Sequence, residues 1–133
     1  MARKAYSQQE RERVREALLA AAVQSIADRG LVHSSIEVIC GKVGISKTFF
    51  YTFFSSKEEL VLQALRYQQP KLLGYARRLM DDPALSWREG VRTFLRTCCD
   101  GARSGVAVLT IEEEQEIYQC LSRESVQTFR GDQ

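Results

Sequence analysis

The sequence has few prolines, no long hydrophobic run and almost no excess of charge, and each shortage excludes a class of protein. Two prolines in 133 residues, with 44% hydrophobic and 27% charged residues, exclude a disordered chain or a proline-rich linker. No stretch reaches the ~20 apolar residues that a membrane-spanning helix needs, and the opening residues lack the apolar run of a signal peptide. We therefore expect a folded, cytoplasmic protein that makes no membrane contact.

The cysteines and the histidine form no recognisable site. Cys40, Cys98, Cys99 and Cys120 include no C-x-x-C pair, and His33 is the only histidine. Zinc sites and disulfide frameworks both need closer or paired spacing. The adjacent pair at 98 and 99 would point about 100° apart on a helix, which argues against both thiols binding one ion. We find no catalytic set and no phosphate-binding loop either, so we expect no metal, no cofactor and no enzymatic activity.

Net charge is a weak guide to partners here. The chain carries +2 overall, and residues 1–58 hold nine basic against six acidic side chains. Ordinary solvated helices carry imbalances of this size. A claim of nucleic-acid binding therefore has to rest on a motif.

Apolar spacing and capping residues predict an all-α fold. Segment 7–29 contains no glycine or proline and ends at Gly30, where a left-handed helix cap is expected. Its apolar residues recur at every fourth position and predict one buried stripe: Val14, Leu18, Ala22 and Ile26.

Two short helices around a glycine follow. Ser34 and Glu37 have the spacing of a capping box, so a second helix starts near Ser35 and stops at Gly44. Ser46 then caps a third helix that reaches Tyr51 or Phe53. The pair predicts a helix-turn-helix over residues 35–54.

The remaining helices are marked by caps and breakers. Residues 55–59 offer overlapping capping boxes for a fourth helix, which Pro70 is expected to kink or restart and which stops near residues 81–83. Ser86 and Glu89 open a fifth helix, with Val91, Phe94, Leu95 and Cys98 on one side. Residues 100–105 read as a break, and residues 122–133 show only weak periodicity.

The helix-turn-helix suits DNA docking. A helix that enters the major groove must be short, braced on another helix and able to present its first turns to base edges. Lys57 and the free amides at the start of the fourth helix can hold a phosphate. Short helix pairs with a glycine turn also occur in proteins that bind no DNA, so the pattern alone leaves both interpretations open.

A resemblance to a known family favours the first interpretation. The most recognisable run is Gly44-Ile45-Ser46, Tyr51, Phe54, Ser56-Lys57-Glu58 and Leu60, with Ala22, Gly30, Ser35-Ile36 and Ile39 upstream. With these, residues 9–68 resemble the DNA-binding domain of the TetR family of transcriptional regulators. Cys40, Phe49, Thr52 and Phe53 depart from the residues usual in that family, which leaves the target DNA sequence open.

The resemblance implies a set of DNA-contacting residues. The recognition helix would carry Lys47, Thr48, Phe49, Tyr51, Thr52 and Phe53. Tyr51 and Lys57 would touch phosphates, as would Ser34 and Ser35 from the second helix. Phe50 and Phe54 are expected in the core, whereas Phe49 and Phe53 can either pack inside or contact thymine methyls.

Two further groups of basic residues are candidates for DNA contact. Arg3 and Lys4 could contact DNA from an arm, although a solubilising tail is the simpler interpretation. Arg11, Arg13 and Arg15 alternate with acidic residues and read as a solvated face.

The domain division follows from the same resemblance. Residues 7–56 would form the DNA-binding domain and residues 57–133 a partial effector-binding and dimerisation domain, shorter than is usual in the family. A pocket for a small apolar or aromatic effector would be lined by aromatic and aliphatic residues, although each can equally be ordinary core: Tyr67, Leu72, Tyr75, Trp87, Val91, Phe94 and Cys98.

The expected function is that of a homodimeric regulator of transcription. Most simply it is a repressor that an effector releases from a palindromic double-stranded DNA operator. The alternative is a truncated, non-enzymatic interaction module that pairs with a full-length regulator and binds no specific DNA itself.

Overall fold

The structure is a computed structural model that describes residues 6–131, and the side chains within that range except those of residue 102 and residues 124–131. Arg3 and Lys4, the predicted arm, lie outside the described residues. Over the described range the chain forms seven helices and no strand, which confirms the all-α prediction. The helices are α1 (Gln8–Arg29), α2 (Ile36–Val43), α3 (Lys47–Phe50), α4 (Lys57–Asp81), α5 (Trp87–Cys99), α6 (Gly101–Ser104) and α7 (Ile111–Gly131).

Helix α1 begins with a capping box that the sequence analysis did not single out. The Ser7 hydroxyl accepts from the Glu10 amide at 3.1 Å, and the Glu10 carboxylate accepts from the Ser7 amide at 2.9 Å. At the other end Gly30 has φ +82° but ψ 166°. The expected left-handed helical cap is therefore wrong in detail, although the positive φ still favours glycine.

The helix-turn-helix lies where it was predicted, with one change at its start and a shorter third helix, because α3 ends at Phe50 and not at Tyr51 or Phe53. Ser35, not Ser34, caps α2: its hydroxyl accepts from the Val38 amide at 3.2 Å. Gly44 ends α2 in the left-handed conformation, with φ +83° and ψ 34°. Ser46 caps α3 by accepting from the Phe49 amide at 3.1 Å. Two serine side chains thus define the helix starts, and a glycine defines the turn between them.

Helix α4 runs through Pro70 without ending, so the predicted restart at this position is wrong. Proline removes one backbone donor and costs roughly 3 kcal/mol in a helix interior. Packing on both sides outweighs that cost, because Ala64 and Gln68 are buried before the proline and Leu72 is half-buried after it. The helix begins as expected, with Ser56 accepting from the Glu59 amide at 3.1 Å.

The last third of the chain is more helical than predicted. The expected break at 100–105 contains α6, which Gly105 closes with φ +74°. Helix α7 extends to Gly131, past the point where its apolar periodicity weakens. A capping box that the sequence analysis missed starts α7: Thr110 Oγ1 accepts from the Glu113 amide at 3.1 Å, and Glu113 accepts from the Thr110 amide at 2.9 Å.

Two apolar clusters hold the helices together. The first joins α1 to α4 through fully buried Leu18, Ala22, Ile39, Phe50 and Leu60, and the second joins α1, α4 and α7. The predicted division at residues 56 and 57 thus marks the start of α4 and not a gap in the packing. None of the described helices is long and apolar enough to cross a membrane.

A buried glutamine of α4 holds the segment before α7 by two hydrogen bonds. The Gln68 side chain donates to the Ala107 carbonyl at 3.0 Å and accepts from the Ala107 amide at 2.7 Å. These bonds satisfy both backbone groups of a residue that is only 4% exposed. Gln68 therefore fixes the path of the chain between α6 and α7.

Candidate nucleic-acid interface

Two phenylalanines anchor the recognition helix. Phe50 is 0% exposed and Phe54 is 2% exposed, and their ring centroids lie 5.7 Å apart in the core. Both were predicted as core residues, and the structure confirms this. Because these rings fix one side of α3, the other side of the helix is turned to solvent, where Lys47, Thr48 and Tyr51 are exposed.

Phe49 and Phe53 are neither fully buried nor fully exposed. Both are half-buried and pack on each other with ring centroids 5.0 Å apart. Tyr6 packs against Phe49 with ring centroids 4.7 Å apart, and the Arg11 guanidinium lies 4.6 Å from the centre of the Phe53 ring. The rings thus join the start of α1 to the outer edge of α3 and keep part of their surface exposed.

Arg11 is a site residue that sequence reasoning missed. The alternating charges predict a solvated face here, but Arg11 is half-buried over Phe53 and also donates to Thr52 Oγ1 at 3.5 Å. The Thr52 hydroxyl in turn donates to the Phe49 carbonyl at 2.7 Å. Alternating charges concealed Arg11, because its aromatic partners are about forty residues away along the chain.

Lys47 and Glu37 form an exposed ion pair across the turn. Their side chains meet at 2.6 Å, joining the first residue of α3 to the first turn of α2. The hydrogen bond from Lys47 lowers the pKa of Glu37, and the same bond raises the pKa of Lys47. The Lys47 ammonium group therefore stays charged, but in the protein without DNA it is paired with the Glu37 carboxylate.

Ser34 cannot touch a phosphate in this structure, so that prediction is corrected. It is 0% exposed, and its hydroxyl donates to the Gly30 carbonyl at 2.8 Å and lies 2.8 Å from the Ser25 hydroxyl. The adjacent serine faces outward in part and caps α2, and because its hydroxyl oxygen accepts from an amide, its proton is free to donate.

Lys57 has a structural contact that the sequence did not reveal. Its ammonium group donates at 2.9 Å to the carbonyl of Leu31, which lies in the loop that follows α1. One of its three protons is used in this way. The phosphate contact expected of Lys57 stays a prediction, with two protons left to make it.

The residues expected to line an effector pocket divide into two groups. Tyr67, Leu72 and Tyr75 line a cavity of about 570 Å³ between α1, α4, α5 and α6. Phe94 packs beside Tyr75 with ring centroids 6.2 Å apart, and Cys98 is half-buried, with burial raising the pKa of its thiol. Neither residue lines the cavity itself, which corrects the prediction for both.

Trp87 and Val91 do not belong to that cavity, which corrects the prediction for both. Trp87 is 65% exposed, and both residues line a separate groove on the outer side of α5. The cause is Gly90, which is buried against α4: a Cβ there would lie 3.3 Å from the Leu79 carbonyl. Glycine sets the inner side of α5 at this turn of the helix, so Trp87 and Val91 face outward.

No metal site accompanies these groups in the described part of the chain. No cluster of three histidine, cysteine or acidic side chains is placed to hold an ion there. Cys40, Cys98, Cys99 and Cys120 are all free thiols.

A comparison with protein-family models identifies a known family with this helix-turn-helix. Residues 18–64 match the family model described as bacterial regulatory proteins, tetR family. The matched segment begins at Leu18 of α1 and ends at Ala64 of α4, so it contains both short helices and the buried residues that brace them. Comparisons with curated proteins and with solved structures gave no match. Residues 18–64 therefore form a helix-turn-helix domain of the kind found in the tetR family of bacterial regulatory proteins, a family of DNA-binding transcription regulators.

Proposed function

We propose that the chain is a homodimeric transcriptional repressor that binds a palindromic DNA operator and releases it when a small molecule binds. The observation that carries this proposal is the exposed edge of α3. Lys47, Thr48 and Tyr51 project from a helix whose opposite side is locked by two buried rings. A short, rigid and polar helix edge of this kind is what a major groove accepts.

Distinct roles follow for the side chains on this edge. Lys47 and Thr48 stand at the start of α3 and are proposed to read base edges, by hydrogen bonds to purine acceptors. Tyr51, Ser35 and Lys57 are proposed to donate to phosphates and set the register. The exposed parts of Phe49 and Phe53, with Thr52 beside them, are proposed to contact thymine methyls.

Two copies of the chain are needed for specific binding. A four-residue recognition helix contacts only a few base pairs, whereas two copies ~34–36 Å apart read successive major grooves. A homodimer on a palindrome supplies that arrangement by symmetry. The cytoplasm, where such DNA lies in bacteria, is the location we propose.

Release by an effector would act through helices shared by both functions. The 570 Å³ cavity is lined by α1 and α4, and the same helices supply Leu18, Ala22 and Leu60 to the core behind α3. A ligand that changes how α1 packs on α4 would change the placement of α3. The effector would then alter operator affinity by acting on one rigid unit.

DNA binding can be tested on the purified chain. Fluorescence anisotropy with promoter fragments from its own gene neighbourhood is expected to give binding that weakens steeply with salt, because phosphate contacts release counterions. Lys57→Ala is expected to weaken binding to all sequences alike, whereas Lys47→Ala is expected to change base preference. Arg77→Met, an exposed change on α4 away from the motif, serves as the matched control.

Sedimentation of the same samples separates the proposal from its alternative. A dimer that protects a palindrome supports the repressor. A monomer without a specific footprint, which binds DNA only when mixed with a longer regulator of the same family, would contradict it and support the interaction module.

A further inference from the structure

We infer that the cavity between α1, α4, α5 and α6 binds a small aromatic carboxylate. Its volume of about 570 Å³ lies in the range of small-molecule sites. The inference gives a ligand class to the effector function proposed above and rests on it in that respect. The evidence lies in which polar groups of the cavity are free to meet a ligand.

The hydroxyl protons of the cavity wall are already used. Thr97 donates to the Thr93 carbonyl at 2.9 Å, so its oxygen accepts the proton of Tyr75 at 3.1 Å. Ser104 donates to the Thr97 carbonyl at 2.7 Å and lies 2.8 Å from the Asp100 carbonyl. A neutral ligand that needs hydrogen-bond donors would find few among these hydroxyls.

Two cations supply the donors that remain. Lys71 and Arg78 line the cavity from α4, and both are exposed. Among the described residues neither forms an ion pair with a carboxylate, and no acidic side chain lines the cavity. Lys71 uses one proton on the Tyr67 hydroxyl at 2.9 Å, and the Arg78 guanidinium offers a fork that fits a carboxylate in bidentate geometry.

The rest of the wall suits an aromatic body. Tyr67 and Tyr75 present rings, and Val23, Leu72 and Val106 add aliphatic surface. A ring of naphthalene size fits within such a space while its carboxylate stays at the two cations. The carboxylate of Glu16 lies 3.5 Å from the Tyr67 hydroxyl and that of Asp28 holds Gln24 at 3.0 Å, but neither residue lines the cavity.

The site also differs from the outer groove of α5. That groove combines Trp87 with Arg88, Arg92 and Arg96, so it too offers apolar surface and positive charge. It has no contact with α1, whereas the cavity touches α1 through Ala20, Val23 and Gln24. A test must therefore distinguish the two places.

The experiment is calorimetric titration of the full chain, without DNA, with naphthoate and with naphthamide. The two probes share a ring system and differ in charge. Naphthoate is expected to bind at least about tenfold more tightly, since charge-assisted hydrogen bonds are the stronger ones. Arg78→Met is expected to weaken naphthoate binding about tenfold, and Lys71→Met severalfold, while Arg77→Met changes it by less than about twofold.

Three results would overturn the inference. They are equal binding of both probes, no binding of naphthoate to the folded chain, and a loss in Arg92→Met as large as that in Arg78→Met, which would place the probe on the outer groove. Circular dichroism checks that each variant is helical, and Lys71→Met decides the matter if Arg78→Met does not fold. Because no DNA is present, failure here leaves the proposed DNA binding untouched.

Discussion

The hydroxyl oxygens of Ser25 and Ser34 lie 2.8 Å apart at a place where neither residue has exposed surface. Ser34 donates to the Gly30 carbonyl, so Ser25 is the donor of the pair. The bond joins the interior of α1 to the residue before the α2 cap. The bond therefore fixes the position of α2 relative to α1. Because α3 follows α2 after a short turn, the bond also helps to position α3.

Ser34→Ala is expected to lower the free energy of unfolding by about 1–3 kcal/mol, because Ser25 loses its buried partner. The double variant Ser25→Ala/Ser34→Ala is expected to cost less than the sum of the single changes, since no hydroxyl is then left unpaired. Urea denaturation measures both. Folded Ser34→Ala should bind DNA as the parent does; normal stability with weakened DNA binding would contradict the buried role.

Glu37→Gln is expected to strengthen DNA binding severalfold at low salt. The carboxylate occupies Lys47 at 2.6 Å in the free protein and also repels phosphates. Anisotropy titrations at two salt concentrations measure the gain, which should shrink at high salt. The exposed change Glu12→Gln on α1 is the control, and an equal gain in it would show a general charge effect instead.

The same pair has a defined pH dependence. Since Lys47 lowers the pKa of Glu37 below its ordinary 4.5, the pair is complete above that value and is lost as pH falls through the lowered pKa. The raised pKa of Lys47 acts in the opposite direction, so its share is lost only at strongly alkaline pH. Between these limits the Lys47 amine protons, followed by NMR, are expected to show no transition from this pair; one near neutral pH would contradict the geometry.

Arg11→Met is expected to loosen the join between α1 and α3. Methionine keeps some of the apolar packing but loses the cation over Phe53 and the bond to Thr52, at a cost of about 0.5–1 kcal/mol. Arg11→Lys should recover part of it. Thermal unfolding measures the change, with exposed Arg13→Met as the control. Equal melting temperatures for the two methionine variants would show that Arg11 is only a solvated residue.

Gln68→Met is expected to free the segment before α7. It leaves the amide and carbonyl of Ala107 without partners, at a cost of about 1–3 kcal/mol. Hydrogen exchange at the Ala107 amide should accelerate at least about tenfold. Gln69→Met, on the exposed side of α4, should leave that rate unchanged. If both variants exchange alike, the side chain does not fix this segment.

The local elements were largely readable from the sequence, since serine caps and glycine stops act over three or four residues. The starts of α2 and α3 followed from such signals, whereas the burial of Phe50 and Phe54 was expected from the family resemblance. Long-range facts did not: the partner of Ser34 is on α1, and Arg11 meets rings on α3. The outward turn of Trp87 depends on Gly90 packing against α4, which no spacing along α5 reveals.

If the exposed edge of α3 reads DNA sequence, selection from a random duplex library will show it. The parent chain and Thr48→Asn would each be selected at about 0.05 M salt, where phosphate contacts are strong. The parent is expected to enrich a palindrome with half-sites one helical turn apart, and Thr48→Asn is expected to change the preferred base at matching positions in both halves. Enrichment of no sequence by the folded parent, or of an identical sequence by both proteins, would contradict sequence reading by this edge of α3.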